Sequence, residues 1–237
     1  MSGLDGRVVV VTGAGGALGQ AVCVAVANAG AKVEACDVHP DRLAQVTERI
    51  RGAGGDVATA SVDLLDEIAT NGWAAEILSR RGRVDGLVHL VGGWRGGTPL
   101  PEVDLADWDW LQQRLVRSLQ LTSRAFHAPM AASDDARLVM VSAAGASKPT
   151  SKNACYAAAK AAAEAWMQAV AHSWQDAQGA AAVTLVINGL VTPAMRADKP
   201  AATFATLTDI AVVAREIVDL WSRPAPELNG ERLWLTP

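Results

Sequence analysis

The sequence predicts a single α/β domain built on a doubly wound parallel sheet. Strand-like and helix-like patterns alternate along all 237 residues, which implies right-handed βαβ units with helices on both faces of the sheet. Residues 8–12 form an apolar, β-branched run, which is typical of a strand buried on both faces. No linker, repeat or break in composition divides the chain, so residues 1–237 are expected to form one domain.

The predicted elements follow one another in a regular order. After the first strand, helical spacing predicts a helix over 17–29, which Gly30 would end as a C-terminal cap. A second strand is predicted over 32–37 and a second helix over 40–51. Further strands, each after a helical stretch, are predicted over residues 56–62, 86–91, 137–141 and 182–187. A last helix over 209–222 should lead into a short strand over 232–235.

Composition narrows the range of partners. The formal net charge is −4 and no basic block is present, which argues against nucleic acid or an anionic membrane as the main partner. No apolar stretch near the start is long enough for a signal peptide or a membrane span, so a cytoplasmic protein with a small-molecule substrate is expected. Cys23, Cys36 and Cys155 lie far apart without metal-ligand spacing, so no metal site is expected.

A glycine-rich segment, TGAGGALG at residues 12–19, joins the first strand to the first helix. Glycines at such a junction permit a sharp turn, close approach of a pyrophosphate and tight contact between helix and strand. The helix N-terminus adds unpaired N–H groups and the positive end of the helix dipole. The segment therefore predicts a dinucleotide site.

Asp37 ends the second predicted strand, at a distance from the glycine turn that suits a contact with adenosine ribose. Its carboxylate would accept hydrogen bonds from the ribose hydroxyls and would repel a 2′-phosphate. No arginine or lysine lies in the glycine turn, and Val38 follows Asp37, so no nearby base is expected to hold such a phosphate. NAD(H) is therefore predicted to be preferred over NADP(H).

The segment 12–19 resembles the TGxxxGxG turn of the short-chain dehydrogenase/reductase family, with Ala17 in place of the middle glycine. Asp63-Leu64 resembles the pair that contacts adenine after the third strand of that family. The resemblance covers essentially the whole chain. It implies a Rossmann fold, with the cofactor across the carboxyl ends of the strands.

Tyr156 and Lys160 stand four residues apart on the helix expected after the fifth strand, so they share one helical face. A nearby ammonium favours the ionised form of a phenol and brings it into range for proton transfer. The resemblance implies that Tyr156 is the proton donor in reduction and the base in oxidation. It also implies that Lys160 lowers the tyrosine pKa and holds the nicotinamide ribose. Hydride would pass directly from nicotinamide to carbon, so no metal is required.

Ser142 ends the fifth strand and opens a Ser-Ala-Ala-Gly segment that is similar to the family's Ser-x-x-Gly. Its hydroxyl is expected to hydrogen-bond the reacting oxygen and complement the charge that develops there. The predicted catalytic set is therefore Ser142, Tyr156 and Lys160. The resemblance predicts cofactor contacts at Gly13, Gly16, Ala17, Leu18, Gly19, Asp37, Asp63, Leu64, Val91, Gly92, Tyr156, Lys160, Val191 and Thr192.

Two positions depart from the family pattern. The stretch 105–126 contains no asparagine to match the family's fourth catalytic residue; Leu115 takes that place by register, and Ser118 is not far away. The family's Asn-Asn-Ala-Gly is replaced by HLVG at residues 89–92, where His89 is expected to be structural rather than a general base.

The turn GGWRGG at residues 92–97 and the segment 16–19 resemble those of quinonoid dihydropteridine reductases within the family. Those reductases lack a catalytic serine, whereas Ser142 is present here. Three functions remain open: hydride transfer between NAD(H) and a carbonyl or alcohol, reduction of a quinonoid substrate, and NAD sensing without turnover. Trp94 is expected to line the substrate pocket with Ser142 and Tyr156.

The resemblance also implies an assembly. Its members pack two long helices, here 105–126 and 154–177, against symmetry mates as a four-helix bundle. Small residues such as Ala158, Ala162 and Ala165 would permit close approach. A homodimer or homotetramer is therefore expected.

Overall fold

The computed structural model describes residues 3–236, and a seven-stranded parallel sheet forms its centre. The strands within the described residues are β1 (Val8–Thr12), β2 (Lys32–Asp37), β3 (Val57–Ser61), β4 (Gly86–His89), β5 (Ala136–Ala143), β6 (Ala180–Ile187), β7 (Leu190–Val191), β8 (Thr208–Asp209) and β9 (Arg232–Trp234). The order in the large sheet is β3-β2-β1-β4-β5-β6-β9, and β7 pairs with β8 separately. The predicted fold class is confirmed.

Helices cover both faces of this sheet. The α-helices are α1 (Ala17–Asn28), α2 (Pro40–Gly52), α3 (Glu67–Arg81), α4 (Ala106–Gln112), α5 (Ser118–Ala131), α6 (Ala154–Ser173), α7 (Pro193–Asp198), α8 (Ile210–Asp219) and α9 (Ala225–Leu228). One apolar core lies between the sheet and helices α1, α2 and α8, and a second between the sheet and α3, α5 and α6. Within residues 3–236, no helix combines the length and apolarity needed to cross a bilayer.

The boundaries of β1 and β2 coincide with the predicted ones. Glycine turns lie just after β1 and just before β2, and they mark these two ends in the sequence. The stretch predicted as one helix from residue 105 is continuous from α4 to α5, but it contains a wider π-helical turn at Gln113–Arg117. The small β7–β8 sheet was not predicted, since two-residue strands leave no periodic pattern.

The position of β1 determines where a ligand can bind. It pairs with β2 on one side and with β4 on the other, so the direction of winding changes between β1 and β4. The loops that leave the carboxyl ends of these two strands therefore diverge and leave a crevice, which is where open α/β sheets bind ligands.

Candidate active site

Two adjoining cavities open along the carboxyl ends of the strands. The first has a volume of about 660 Å³ and lies over β2 and β3, and the second has a volume of about 580 Å³ and lies over β5 and β6. They share a wall that is made by residues of the glycine turn and of the chain after β4: Gly13, Gly16, Leu90, Val91 and Gly92. One elongated ligand could therefore occupy both.

The glycine turn has the geometry that a dinucleotide needs. Gly13 adopts a φ of 67°, in the left-handed region, and a Cβ there would lie only 2.8 Å from the Leu90 backbone. A Cβ at Gly19 would likewise collide with the Gly13 carbonyl. Both glycines thus let the turn, the helix and the neighbouring strand come close together.

The first turn of α1 presents unpaired donors. Gly16 precedes the helix and supplies no side-chain cap. Among the described residues, the N–H groups of Ala17, Leu18 and Gly19 have no hydrogen-bond acceptor, as is usual for a first helical turn. All three residues line the second cavity. This cradle fits the pyrophosphate of a dinucleotide.

Asp37 lies on the wall of the first cavity. Its Oδ2 accepts a hydrogen bond from the Gly15 N–H at 2.9 Å, and its Oδ1 accepts one from the His39 N–H at 3.0 Å. These bonds hold the carboxylate in place and leave each oxygen a further lone pair for a ribose hydroxyl.

The expectation that no base stands near Asp37 was wrong. Arg42, in the first turn of α2, lines the same cavity, and its Cβ lies next to Gly15. The sequence did not indicate Arg42, because this residue lies in the next helix, whereas the expected positions for such a base are the glycine turn and the residue after Asp37. A cation is therefore present on the cavity wall that also carries Asp37.

The first cavity is also lined by Asp63 and Leu64, and by Trp110 of α4 and Arg114 of the π-helical turn, which the sequence did not single out. Trp110 lies between two guanidinium groups: Arg95 is 4.4 Å and Arg114 is 4.5 Å from the ring centroid. Such cation–π contacts fix the ring and leave it as a rigid wall.

Tyr156 and Lys160 line the second cavity together. The Lys160 ammonium donates a hydrogen bond to the Val141 carbonyl at 2.7 Å. Burial lowers the pKa of Lys160 to about 8, whereas the Glu164 carboxylate raises it. Burial raises the pKa of the Tyr156 phenol, so the expected lowering by Lys160 is not seen in this structure. The ammonium is instead directed to the backbone.

Ser142 also lines the second cavity, but its proton is already engaged. The side chain is 1% exposed, and its Oγ donates to Glu164 Oε1 at 2.5 Å. Glu164 is in turn paired with Arg232 of β9. Sequence reasoning missed Glu164 and Arg232, because neither lies in a motif and Arg232 comes from the far end of the chain.

His89 is structural, as expected. It is 2% exposed; its Nδ1 lies 3.0 Å from Thr12 Oγ1 and its Nε2 lies 3.1 Å from Ser118 Oγ. Burial, and to a lesser extent the charge of Lys160, lowers the pKa of His89 to about 3. With both ring nitrogens bonded, the imidazole ties β4 to β1 and α5.

The place of the missing asparagine is filled by apolar packing. Leu115 is 2% exposed and lies in the π-helical turn, with its side chain close to Gly92. Ser118 lines the first cavity and donates to the Arg114 carbonyl at 2.5 Å. A π turn widens a helix locally and is frequent at functional sites.

The GGWRGG turn is held by its neighbours. A Cβ at Gly93 would collide with the edge of Trp110, and one at Gly96 would approach the Lys152 carbonyl to 2.9 Å. Arg95 pairs with Asp107 at 3.0 Å. Trp94 lines the second cavity, yet 62% of its surface is exposed, so the indole stands at the mouth.

Two predicted cofactor contacts lie apart from the others. Val191 is fully buried in β7, and the Thr192 hydroxyl caps α7 by accepting the Met195 N–H at 3.2 Å. Neither residue lines either cavity, although Asn188, Gly189 and Leu190 line the second. Their contact with nicotinamide stays a prediction.

Comparisons with known proteins bear on the family and the fold. A family model described as short chain dehydrogenase matches residues 7–203. A short chain dehydrogenase of Pseudocercospora fijiensis is 28% identical over 186 residues, which make up 78% of this chain and 59% of that protein. The match therefore spans less than two thirds of that relative's length.

Solved structures share the fold over nearly their whole length. A metagenomic short-chain oxidoreductase in complex with NADP has a TM-score of 0.81 at 25% identity and covers 98% of this chain and 97% of its own. A xylitol dehydrogenase with bound NAD⁺ has a TM-score of 0.86 at 18% identity and covers 98% of each chain.

Proposed function

The chain belongs to the short-chain dehydrogenase/reductase family, and we propose that it transfers a hydride between NAD(H) and a carbonyl or alcohol substrate. One observation carries the proposal. The second cavity is lined by Ser142, Tyr156 and Lys160 and by the N-terminal cradle of α1, and it shares a wall with the first cavity, which contains Asp37.

Each part of this site has a task. The N–H groups of Ala17, Leu18 and Gly19 would hold the pyrophosphate, and Asp37 would accept hydrogen bonds from the adenosine ribose. Bound nicotinamide supplies or accepts the hydride. Tyr156 would give a proton to the substrate oxygen in reduction and take it in oxidation.

The charge state of the pair supports this role. A tyrosine with a raised pKa stays protonated at neutral pH, which is the form that donates a proton. Lys160 still carries a proton there, because its lowered pKa of about 8 lies above neutrality. Once Lys160 turns from Val141 to the nicotinamide ribose, its ammonium would also stabilise the tyrosinate that forms.

The preference for NAD(H) rests on Asp37. A fixed carboxylate on the wall of the first cavity would repel a 2′-phosphate. Arg42 on the same wall reduces that repulsion. We therefore expect a preference for NAD(H) rather than an exclusion of NADP(H).

The proposal is tested by a screen of carbonyls, alcohols and quinonoid pterins with NADH and NAD⁺, followed by Tyr156→Phe with the best substrate. The variant should keep its fold and its affinity for NADH. Turnover should fall roughly 10²–10⁴-fold, the usual contribution of general acid–base catalysis. Wild-type turnover by Tyr156→Phe would disprove the mechanism, and NADH binding without turnover of any compound would support a sensor.

Reduction of a quinonoid substrate is the second candidate. Two observations favour it: the flat Trp94 ring stands at the mouth of the cavity, and the Ser142 proton is held by Glu164. The dihydropteridine reductases that the GGWRGG turn resembles work without a serine. Ser142→Ala should therefore cost less turnover with a quinonoid pterin than with a ketone or alcohol.

A further inference from the structure

A line of polar side chains runs from the second cavity to the edge of the sheet. Ser142 Oγ on β5 donates to Glu164 Oε1 on α6 at 2.5 Å, and Arg232 Nη2 on β9 donates to the same oxygen at 3.2 Å. Arg232 Nε lies 2.9 Å from Glu164 Oε2, but its N–H is poorly aligned with it, so this second contact is electrostatic. Arg232 Nη2 also donates to Ser147 Oγ at 2.9 Å.

The hydrogen bond from Ser142 to Glu164 determines whether Ser142 can act as a donor or as an acceptor toward a ligand. A hydroxyl carries one proton and two lone pairs. A carboxylate is a stronger acceptor than a neutral carbonyl, because the hydrogen bond is assisted by its charge. With the proton held by Glu164, the Ser142 oxygen faces the cavity with lone pairs only.

Glu164 also acts on Lys160. The two residues are four apart on α6, so their side chains lie on one face, with Glu164 one turn further from the cavity. The groups that face Lys160 are Tyr156 and Glu164 on α6, His89 on β4 and the Val141 carbonyl on β5. Of these, Glu164 is the one whose charge opposes the effect of burial on the lysine.

We propose that Glu164 is a positioning residue: it holds the Ser142 proton, so that Ser142 meets the substrate or the Tyr156 hydroxyl as an acceptor, and it keeps Lys160 charged. The expected effect of Glu164 on kcat/KM rests on the proposed function, whereas its effect on the charge of Lys160 does not. Arg232 fixes the Glu164 carboxylate and thereby links the last strand of the sheet to the site.

The charge effect can be measured without any substrate. The chain has five lysines, so a protein labelled with ¹³C at lysine gives few side-chain NMR signals, and Lys160→Met identifies the signal of Lys160. In Glu164→Gln the titration of Lys160 should move to lower pH by about one unit, because a neighbouring carboxylate favours the charged ammonium. The matched control is Glu231→Gln, an exposed neighbour of Arg232 in sequence, which should leave that titration unchanged.

The proton-holding role is tested by a double-mutant cycle. Glu164→Leu removes the acceptor and Ser142→Ala removes the donor, and each should lower kcat/KM by about tenfold, as loss of a hydrogen bond to a charged group does. If both act through one hydrogen bond, the double variant should lose no more than the worse single variant. In Glu164→Gln, the fall of kcat/KM at alkaline pH should also begin at lower pH, because Lys160 would lose its proton earlier.

The outcomes separate the two proposals. A Lys160 titration that does not move in Glu164→Gln overturns the inference, whether or not a substrate is turned over. Additive losses in the cycle overturn it as well. If the titration moves but the protein turns over none of the compounds screened, the proposed function fails while the effect of Glu164 on Lys160 stands. Should Glu164→Leu fail to fold, Glu164→Gln still tests the charge.

Discussion

The Lys160 ammonium lies 5.9 Å from the centroid of the Tyr156 ring, on the same face of α6. This distance brings the charge close to the phenol without a direct hydrogen bond. The ammonium is held by the Val141 carbonyl instead, at 2.7 Å. The phenol and the ammonium thus stand side by side on the wall of the second cavity, and the ammonium is fixed by the backbone of β5.

The pH dependence of reduction follows from this pair. Burial holds the pKa of Lys160 at about 8, so the lysine loses its proton as the pH rises through that value. We expect kcat/KM for reduction to fall over the same range, because a neutral amine no longer stabilises the tyrosinate. Steady-state rates from pH 6 to 10 with NADH test this.

Two lysine variants complete that test. Lys160→Arg keeps the charge and should move the alkaline limb to higher pH, since an arginine side chain stays protonated. Lys160→Ala should lower both turnover and affinity for NADH, because one ammonium serves the phenol and the ribose. An unchanged pH profile in Lys160→Arg would show that another group controls the limb.

The cofactor preference can be reversed at the wall of the first cavity. Asp37→Ala together with Val38→Arg removes the repelling carboxylate and adds a cation, so the ratio of kcat/KM for NADPH to that for NADH should rise at least tenfold. Arg42→Ala is the matched control, since it should weaken NADPH and leave NADH nearly unchanged. A wild-type kcat/KM that is higher with NADPH would contradict the predicted preference.

Much of the site could be predicted because its residues lie in local patterns. The glycine turn and Asp37 each follow directly on a strand or end one, and Tyr156 and Lys160 are one helical turn apart. Spacing along the chain is sufficient for such sites, since a parallel sheet brings the carboxyl ends of its strands to one edge.

The remainder depends on contacts between distant parts of the chain. The partner of Ser142 is Glu164, and the partner of Glu164 comes from the last strand. Arg42 of α2 and Trp110 of α4 line the first cavity, although neither belongs to a motif. No periodic pattern in the sequence indicates which residues of a helix reach a cavity, so these two can be identified only in three dimensions.

The role of Trp94 can be tested with substrates of different shape. If the indole packs on a flat substrate at the mouth of the second cavity, Trp94→Ala should raise KM for an aromatic or quinonoid compound about tenfold. The KM for NADH should not change. Leu105→Ala serves as the control, since Leu105 is an equally exposed apolar residue that lines neither cavity. An unaffected KM in Trp94→Ala would mean that the indole packs only on its own turn.

The expected assembly depends on the outer face of α6. Ala158 and Ala165 are exposed in the single chain. Further along α6, residues of α5 and α6 together line an open cavity. We predict a homodimer or homotetramer, and Ala165→Arg should convert it to a smaller species by inserting charge at a close contact. Light scattering at micromolar concentration measures this, with Ala53→Arg, at the end of α2, as the control. A monomeric wild type would refute the prediction.

The buried imidazole of His89 makes the fold sensitive to acid. Burial lowers its pKa to about 3 in the folded chain, against an ordinary value of roughly 6.5 in the unfolded chain. Since the unfolded state then binds the proton more readily, the contribution of His89 to stability is complete above pH 6.5 and is lost as the pH falls towards 3. When unfolding takes up one proton, the free energy of unfolding falls by about 1.4 kcal/mol for each unit by which the pH is lowered, so it should fall by roughly 2 kcal/mol between pH 6.5 and 5.

The variant His89→Asn tests this effect, because the asparagine amide can still bond Thr12 or Ser118 but does not titrate. The variant should be less stable at neutral pH, and its free energy of unfolding should no longer show the contribution of His89 to the pH dependence. Urea unfolding of both proteins at pH 7.5, 6.5 and 5 measures the slopes. Equal slopes would show that His89 takes up its proton in the folded chain as easily as in the unfolded one.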